Sequence, residues 1–502
     1  MTNELRTTRR IRAWHEGRPL PRGEKVNVHV GDDDEILVLS FVRMGGESSP
    51  WAVALGRPHE EPSLHCVPDP RDRDMVADMM VDVGRILLAH FRHPGFAPDV
   101  DEAMSVYEYR QLWVPGVSHL DMLHSIALSY ARTSWQRPDV DVLRALGNLA
   151  NCLFVEAQRP GQQTVIVAPQ ALTTAHDYPS SPVRQAHLGH LLAWMGREKS
   201  RDTRLRAATL AEDSSVATTL DPEFERSELE SLVETWNAPP REQRVSKGRR
   251  VARRIHEVLA EQLIHRHSLV VRSIEKLRRD PRGANPGLDD LVRLGTDKFS
   301  RLWWDQVLRE ISDDPNERPF WPGLRGDVGA RQAAFAYQQR VAASRHAMHH
   351  LVHGDRSLQE EELLRGHGVR AKVTSLDTSG TRWTLVHDFP ALPDIKVGAS
   401  LAIAGAPKLQ VKVRSFSVDD RTLVVSPLWT SAKYPTGPMA KRASDPTWRG
   451  RQLILLEDFP AHFTESMGYR INAKTESGFD ILDYFRREIA AEIDDSDAGG
   501  DE

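Results

Sequence analysis

The stretch Arg241–Arg282, REQRVSKGRRVARRIHEVLAEQLIHRHSLVVRSIEKLRRDPR, decides how the rest of the chain is read. It holds thirteen Lys and Arg against five Asp and Glu, about +8, inside a chain whose formal charge is −5, so all other residues sum to about −13. Val251, Ile255, Leu259, Leu263, Val270, Ile274 and Leu277 recur at three, four and seven residues. That period predicts an amphipathic helix with one apolar stripe. Arg249, Arg250, Arg253, Arg254, Arg272, Lys276 and Arg279 fall mostly off the stripe. Such a helix either offers its cationic side to a polyanion or pairs it with acidic helices of the same chain.

Around this element, 502 residues are too many for one small core and suit several domains. Hydrophobic residues at 40% and charged residues at 27% predict a folded chain rather than a disordered one. No window approaches the length of a membrane-spanning run, and MTNELRTTRRIRAW lacks the apolar core of a secretory signal, so a cytoplasmic location and no membrane contact are expected. Two cysteines, Cys66 and Cys152, are too few for a disulfide framework or a thiolate zinc cluster. Arg outnumbers Lys by 54 to 12, a bias that a GC-rich genome explains as well as phosphate recognition does.

The expected fold class is α+β and multidomain: a mixed N-terminal domain, a helical centre and a C-terminal small antiparallel β-barrel. Residues 1–110 read as an α+β domain that opens with a basic arm and a hairpin formed by VNVHV and EILVLSFVRM about the turn GDDDE. WAVALG adds a further strand and DMVADMMVDVGRILLAHF a helix with acidic residues at its start. Residues 111–240 read as mainly helical, with GQQTVIVAP as a short buried strand, and 241–360 as the basic helix and further helices. In 361–490 six strand-like runs, GVRAKVTSL, TRWTLVHDF, IKVGASLAIAG, KLQVKVRSFSV, RTLVVSPLW and RQLILLEDF, are separated by turn formers and predict the barrel, closed by the helix FDILDYFRREIAAEI. Residues 491–502 are an acidic tail.

Enzyme motifs are scarce. There is no glycine-rich phosphate loop followed by Lys and no Gly-x-Ser-x-Gly elbow. Asp388 with Asp394 and Lys396 only loosely matches the acids and lysine of a metal-dependent nuclease. His346, His349, His350 and His353 share one helix face, the spacing at which two imidazoles can hold a metal, yet Ala347 and Met348 stand where a general base is needed. No metal or cofactor is expected, with those four histidines as the alternative metal site of a hydrolase or nuclease.

Alternation along KLQVKVRSF turns Leu409, Val411 and Val413 inward and Lys408, Lys412, Arg414 and Phe416 outward. The loop Trp429–Arg451 interleaves Lys433, Lys441, Arg442, Arg449 and Arg451 with Trp429, Tyr434 and Trp448. Cations and rings together suit a single-strand groove, or else the rings fill the core of their own small domain. The expected function is a non-catalytic nucleic-acid-binding or adaptor subunit, with DNA preferred to RNA, supporting a helicase or nuclease partner in DNA processing or anti-phage defence. A protein-only scaffold is the remaining alternative.

Overall fold

A computed structural model describes residues 2–93, 96, 109–197, 200–212, 215–311, 343–388, 395–428 and 443–457. Its first sheet has five strands: β1 (Ile36–Val42), β2 (Ala52–Gly56), β3 (Ser63–Cys66), β4 (Gln111–Val114) and β5 (Val165–Val167). In space they run β3-β2-β1-β4-β5. The β1-β2 and β2-β3 pairs are antiparallel, whereas β1-β4 and β4-β5 are parallel, with Leu37 opposite Leu112 and Trp113 opposite Ile166. Every residue of β1, β4 and β5 is buried, so ILVLSFV, QLWV and VIV show continuous apolar runs instead of alternation.

Helices α2 (Arg73–His90), α3 (Ser118–Tyr130) and α4 (Val140–Ala157) lie on this sheet and on one another. Asp72 caps α2 by accepting from the Asp74 and Met75 amides. Gly147 of α4 has no room for a side chain, since a Cβ there would sit 2.2 Å from the Ala131 nitrogen at the end of α3. The basic stretch forms α9 (Arg241–Lys247) and α10 (Arg249–Arg278), following α5 (Ala168–Ala175), α6 (Leu188–Trp194), α7 (Arg201–Glu212) and α8 (Ser231–Asn237). α10 packs on β1, β2 and β3 and on α5, α6 and α8. Its Ile255, Val258, Leu259 and Leu263 enter one core cluster, and its Leu269, Val270, Ile274 and Leu277 enter a second with Trp113 and Trp194. At 1.5 Å per residue this 30-residue helix is about 45 Å long and ties both clusters together.

Residues on both sides of 110 and of 240 thus share one sheet and one core. Burying β1 needs β4 beside it and α10 on it, so boundaries drawn at those points run through a packed unit. Two local expectations are also corrected. VNVHV forms no strand beyond a bridge from Val26 to Ala284, and β1 pairs with β2 and β4 instead. The basic arm is a helix, α1 (Thr2–Glu16), whose Trp14 meets the edge of Trp194 and whose Arg9 pairs with Glu361.

Beyond α11 (Gly287–Ile311) and a helix at 343–354, α12 (Arg356–Arg365) leads into the barrel and ends at Gly366, where φ is +85°. The six expected strands are present as β6 (Gly368–Leu376), β7 (Trp383–His387), β8 (Ser400–Ile403), β9 (Ala406–Ser417), β10 (Thr422–Pro427) and β11 (Gln452–Glu457). They close, all antiparallel, in the order β8-β9-β10-β7-β6-β11. Leu409, Val411 and Val413 fill the interior around Trp383, whose indole N–H donates to the Ala443 carbonyl at 3.0 Å. The expected closing helix and acidic tail lie outside the described residues.

Leu259 is fully buried and Arg253 exposed on the same helix. Leu259→Ala is expected to lower the unfolding free energy by about 2–5 kcal/mol, and Arg253→Ala to change it by no more than about 0.5 kcal/mol, as measured by chemical denaturation.

Candidate nucleic-acid interface

A set of cations without partners among the described residues sits where α9 meets α10. Gly248 makes that junction possible, because a Cβ there would lie 2.5 Å from the Trp236 ring and 2.7 Å from the Arg244 carbonyl oxygen. Lys247, Arg249, Arg250 and Arg253 are exposed and make no hydrogen bond or ion pair with another described residue, and Arg254 makes only a surface pair with Glu257 at 3.2 Å. No acidic residue occupies the first turn of α10. Cations there oppose the positive end of the helix dipole, at roughly 0.3–1 kcal/mol each. Guanidinium groups and the free N–H groups of the first turn therefore add their potentials, an arrangement that favours a phosphate.

The other predicted residues divide. Arg272 is exposed, and its eighteen-residue offset from Arg254 returns it to the same side of α10, about 27 Å away. Glu261 and Glu275 interrupt the stripe between and beyond them, and Lys276 is half-buried, donating to the Met195 carbonyl at 3.2 Å. On β9, Lys412 is half-buried, and Arg414 is exposed, donating to the Ser426 hydroxyl at 2.9 Å. Phe416 is stacked on His387 with 5.1 Å between centroids. The Lys408 side chain and all of Lys433 lie outside the described residues. Arg449 is exposed, but Trp448 is not: it is 9% exposed, in the barrel core, 5.0 Å from Trp383 and covered by Arg451. The stacking role expected of Trp448 is therefore corrected, since packing against Trp383 takes up its ring.

An α/β sheet offers a ligand the crevice beyond the carboxyl ends of parallel strands where strand order reverses, here between β1 and β4. That place is closed. The Arg43 amide, just past β1, donates to the Thr218 carbonyl at 2.7 Å, and the Thr218 amide donates to the Ser118 hydroxyl at the start of α3. From α10 the fully buried Arg266 reaches the Ala217 carbonyl with both Nε and Nη2, at 3.2 and 3.1 Å, and burial lowers its pKa to about 10. His119 is fully buried and pushed down to about 3 by burial, with Arg266 adding to the effect. Among the described residues these contacts fill the place where a ligand would lie.

His346, His349, His350 and His353 are strung along one helix with ring centroids 4.9 Å (346 to 350), 5.7 Å (349 to 350) and 4.5 Å (349 to 353) apart. Nδ1 of His350 lies 3.4 Å from Asp290, and Nδ1 of His353 accepts from the Gly405 amide of the barrel at 3.2 Å. Among the described residues no three His, Cys, Asp or Glu side chains converge on one point. The rings instead join the helix to α11 and to the barrel. Asp388 is exposed and accepts from the Gln452 amide at 2.7 Å; Asp394 lies outside the described residues.

No protein-family profile, curated protein or solved structure matches the chain. Among the described residues no helix is long and apolar enough to cross a membrane.

Burial, with neighbouring imidazoles adding, lowers His349 to about 3 and His353 to about 4. In the unfolded chain both return to about 6.5. Proton uptake therefore favours unfolding: their contribution to stability is intact above about pH 6.5 and is lost as pH falls toward 4. Urea midpoints measured from about pH 8 to pH 5 should fall on the acid side, and the double variant His349→Gln, His353→Gln should fall less.

Proposed function

We propose that this chain is a non-catalytic nucleic-acid-binding subunit that grips the phosphate backbone at the start of α10. The observation that carries the reading is the set Lys247, Arg249, Arg250 and Arg253, exposed and without carboxylate partners among the described residues, at the positive end of a long, firmly seated helix. Cations that serve only to balance the acidic remainder of the chain would be paired with it, as Arg241 is with Asp72 and Asp74 and Arg278 is with Asp33. The closed crevice of the sheet and the dispersed histidines support a binder over an enzyme. Any chemistry on the bound strand then belongs to a separate partner, of which a helicase or nuclease in DNA processing or defence is the kind proposed. Backbone contacts of this sort carry little sequence preference and strong salt dependence.

With about four phosphates neutralised, affinity for duplex DNA is expected to fall roughly 100-fold between 50 and 200 mM salt. Reversing Arg249, Arg250, Arg253 and Arg254 to Glu should abolish binding at the lower salt with the circular dichroism spectrum unchanged, because the buried stripe is untouched. A quadruple variant that binds labelled DNA as tightly as the natural protein would sink the reading.

A further inference from the structure

Beside the cationic patch, α9 forms one wall of an open cleft of about 820 Å³ whose other walls are the start of α2 and the segment after α3. This is ample for one nucleotide. Within it stands the half-buried indole of Trp135, with the guanidinium carbons of Arg73 and Arg137 at 5.4 and 5.5 Å from its centre. Arg137 is held by Asp78 and Asp139. Arg73 is exposed and has no carboxylate partner among the described residues, so the ring is its main contact.

The charge inside the cleft is close to balanced. Arg241 is held by Asp72 and Asp74 at 3.0 and 2.7 Å, Arg71 by Glu47 at 2.9 Å, and Arg244 by the carbonyl oxygens of Pro239 and Asn237. The cleft is thus a poor place for a phosphate compared with the start of α10. For a base it is well furnished: a ring with an exposed guanidinium plane beside it, and the Ser134 hydroxyl and Asn237 side-chain amide, which make no hydrogen bond to other described residues. α9 is only seven residues long, about 10 Å, so cleft and patch lie within a few nucleotides of each other.

We propose that this cleft takes an unpaired base of the strand whose backbone lies on Arg249–Arg254, stacked on Trp135 and Arg73, and that it makes the interface prefer single strands. This rests on the reading of α10 as a phosphate-binding surface. A base in a duplex cannot enter, because its faces are already stacked, whereas a splayed single-stranded base stacks on aromatic rings and on Arg planes alike.

The test measures anisotropy of a labelled dT oligonucleotide and of a labelled duplex at low salt with the full chain. Trp135→Ala should weaken the single strand roughly tenfold and the duplex less than twofold, and Trp135→Phe should restore most of the loss if folding is intact. If Trp135→Ala leaves both ligands unaffected, or weakens both alike, the cleft proposal is overturned. In those cases loss of binding in the α10 quadruple reversal keeps the phosphate-surface reading standing. If that reversal also leaves both ligands bound, the two readings fall together. Should Trp135→Ala and Trp135→Phe both unfold, Arg73→Ala, a change at an exposed side chain, gives the deciding comparison: a loss confined to the single strand supports the cleft, and no such loss overturns it.

Discussion

Burial of the apolar side of α10 is the interaction on which the rest depends. Ile255, Val258, Leu259 and Leu263 join the core that contains α2, α4 and the sheet, and Leu269, Val270, Ile274 and Leu277 join the one around Trp113 and Trp194. Each such side chain contributes roughly 1.5–3 kcal/mol when fully buried. Without this helix β1 would expose one of its apolar faces, and the segment 215–220 would lose Arg266, which fixes Ala217. A helix held that firmly fixes the backbone from which the cations at its start project, so only their side chains remain to be ordered on binding.

The charges of the chain fall into two kinds. Several arginines are spent inside the fold: Arg9 on Glu361, Arg137 on Asp139, Arg282 on the nearly buried Asp280 and Arg266 on backbone carbonyls. These hold helices and loops in register. The second kind, Lys247, Arg249, Arg250 and Arg253 where α9 meets α10, has no carboxylate partner among the described residues and faces both mutual repulsion and an adverse helix dipole.

The barrel is joined to the helical body by polar contacts at its entry. Asp355 is nearly fully buried; it caps α12 and also accepts from the Lys25 amide at 2.9 Å, so α12 is anchored to the N-terminal segment before the first barrel strand begins. His353 adds a contact to Gly405 from the preceding helix. Protonating that imidazole removes its acceptor lone pair, so acid is expected to weaken the junction.

Periodicity by itself determined the helix of Arg249–Arg278, its apolar stripe and the six strands of the barrel, because side-chain alternation and helical repeat are local properties of the chain. Six of the seven cations expected off the stripe are exposed, whereas Lys276 is half-buried against the Met195 carbonyl. Sequence did not reveal that strands 36–42, 111–114 and 165–167 form one sheet, since parallel neighbours far apart in the chain carry no turn signal between them. Nor did it separate Trp448 from Trp135. Both are tryptophans near arginines, and only tertiary packing decided that one fills the barrel beside Trp383 while the other stands in an open cleft. Partnering is likewise non-local: Arg278 and Arg253 look alike along the helix, and it is the fold that brings Asp33 to the first and leaves the second in solvent.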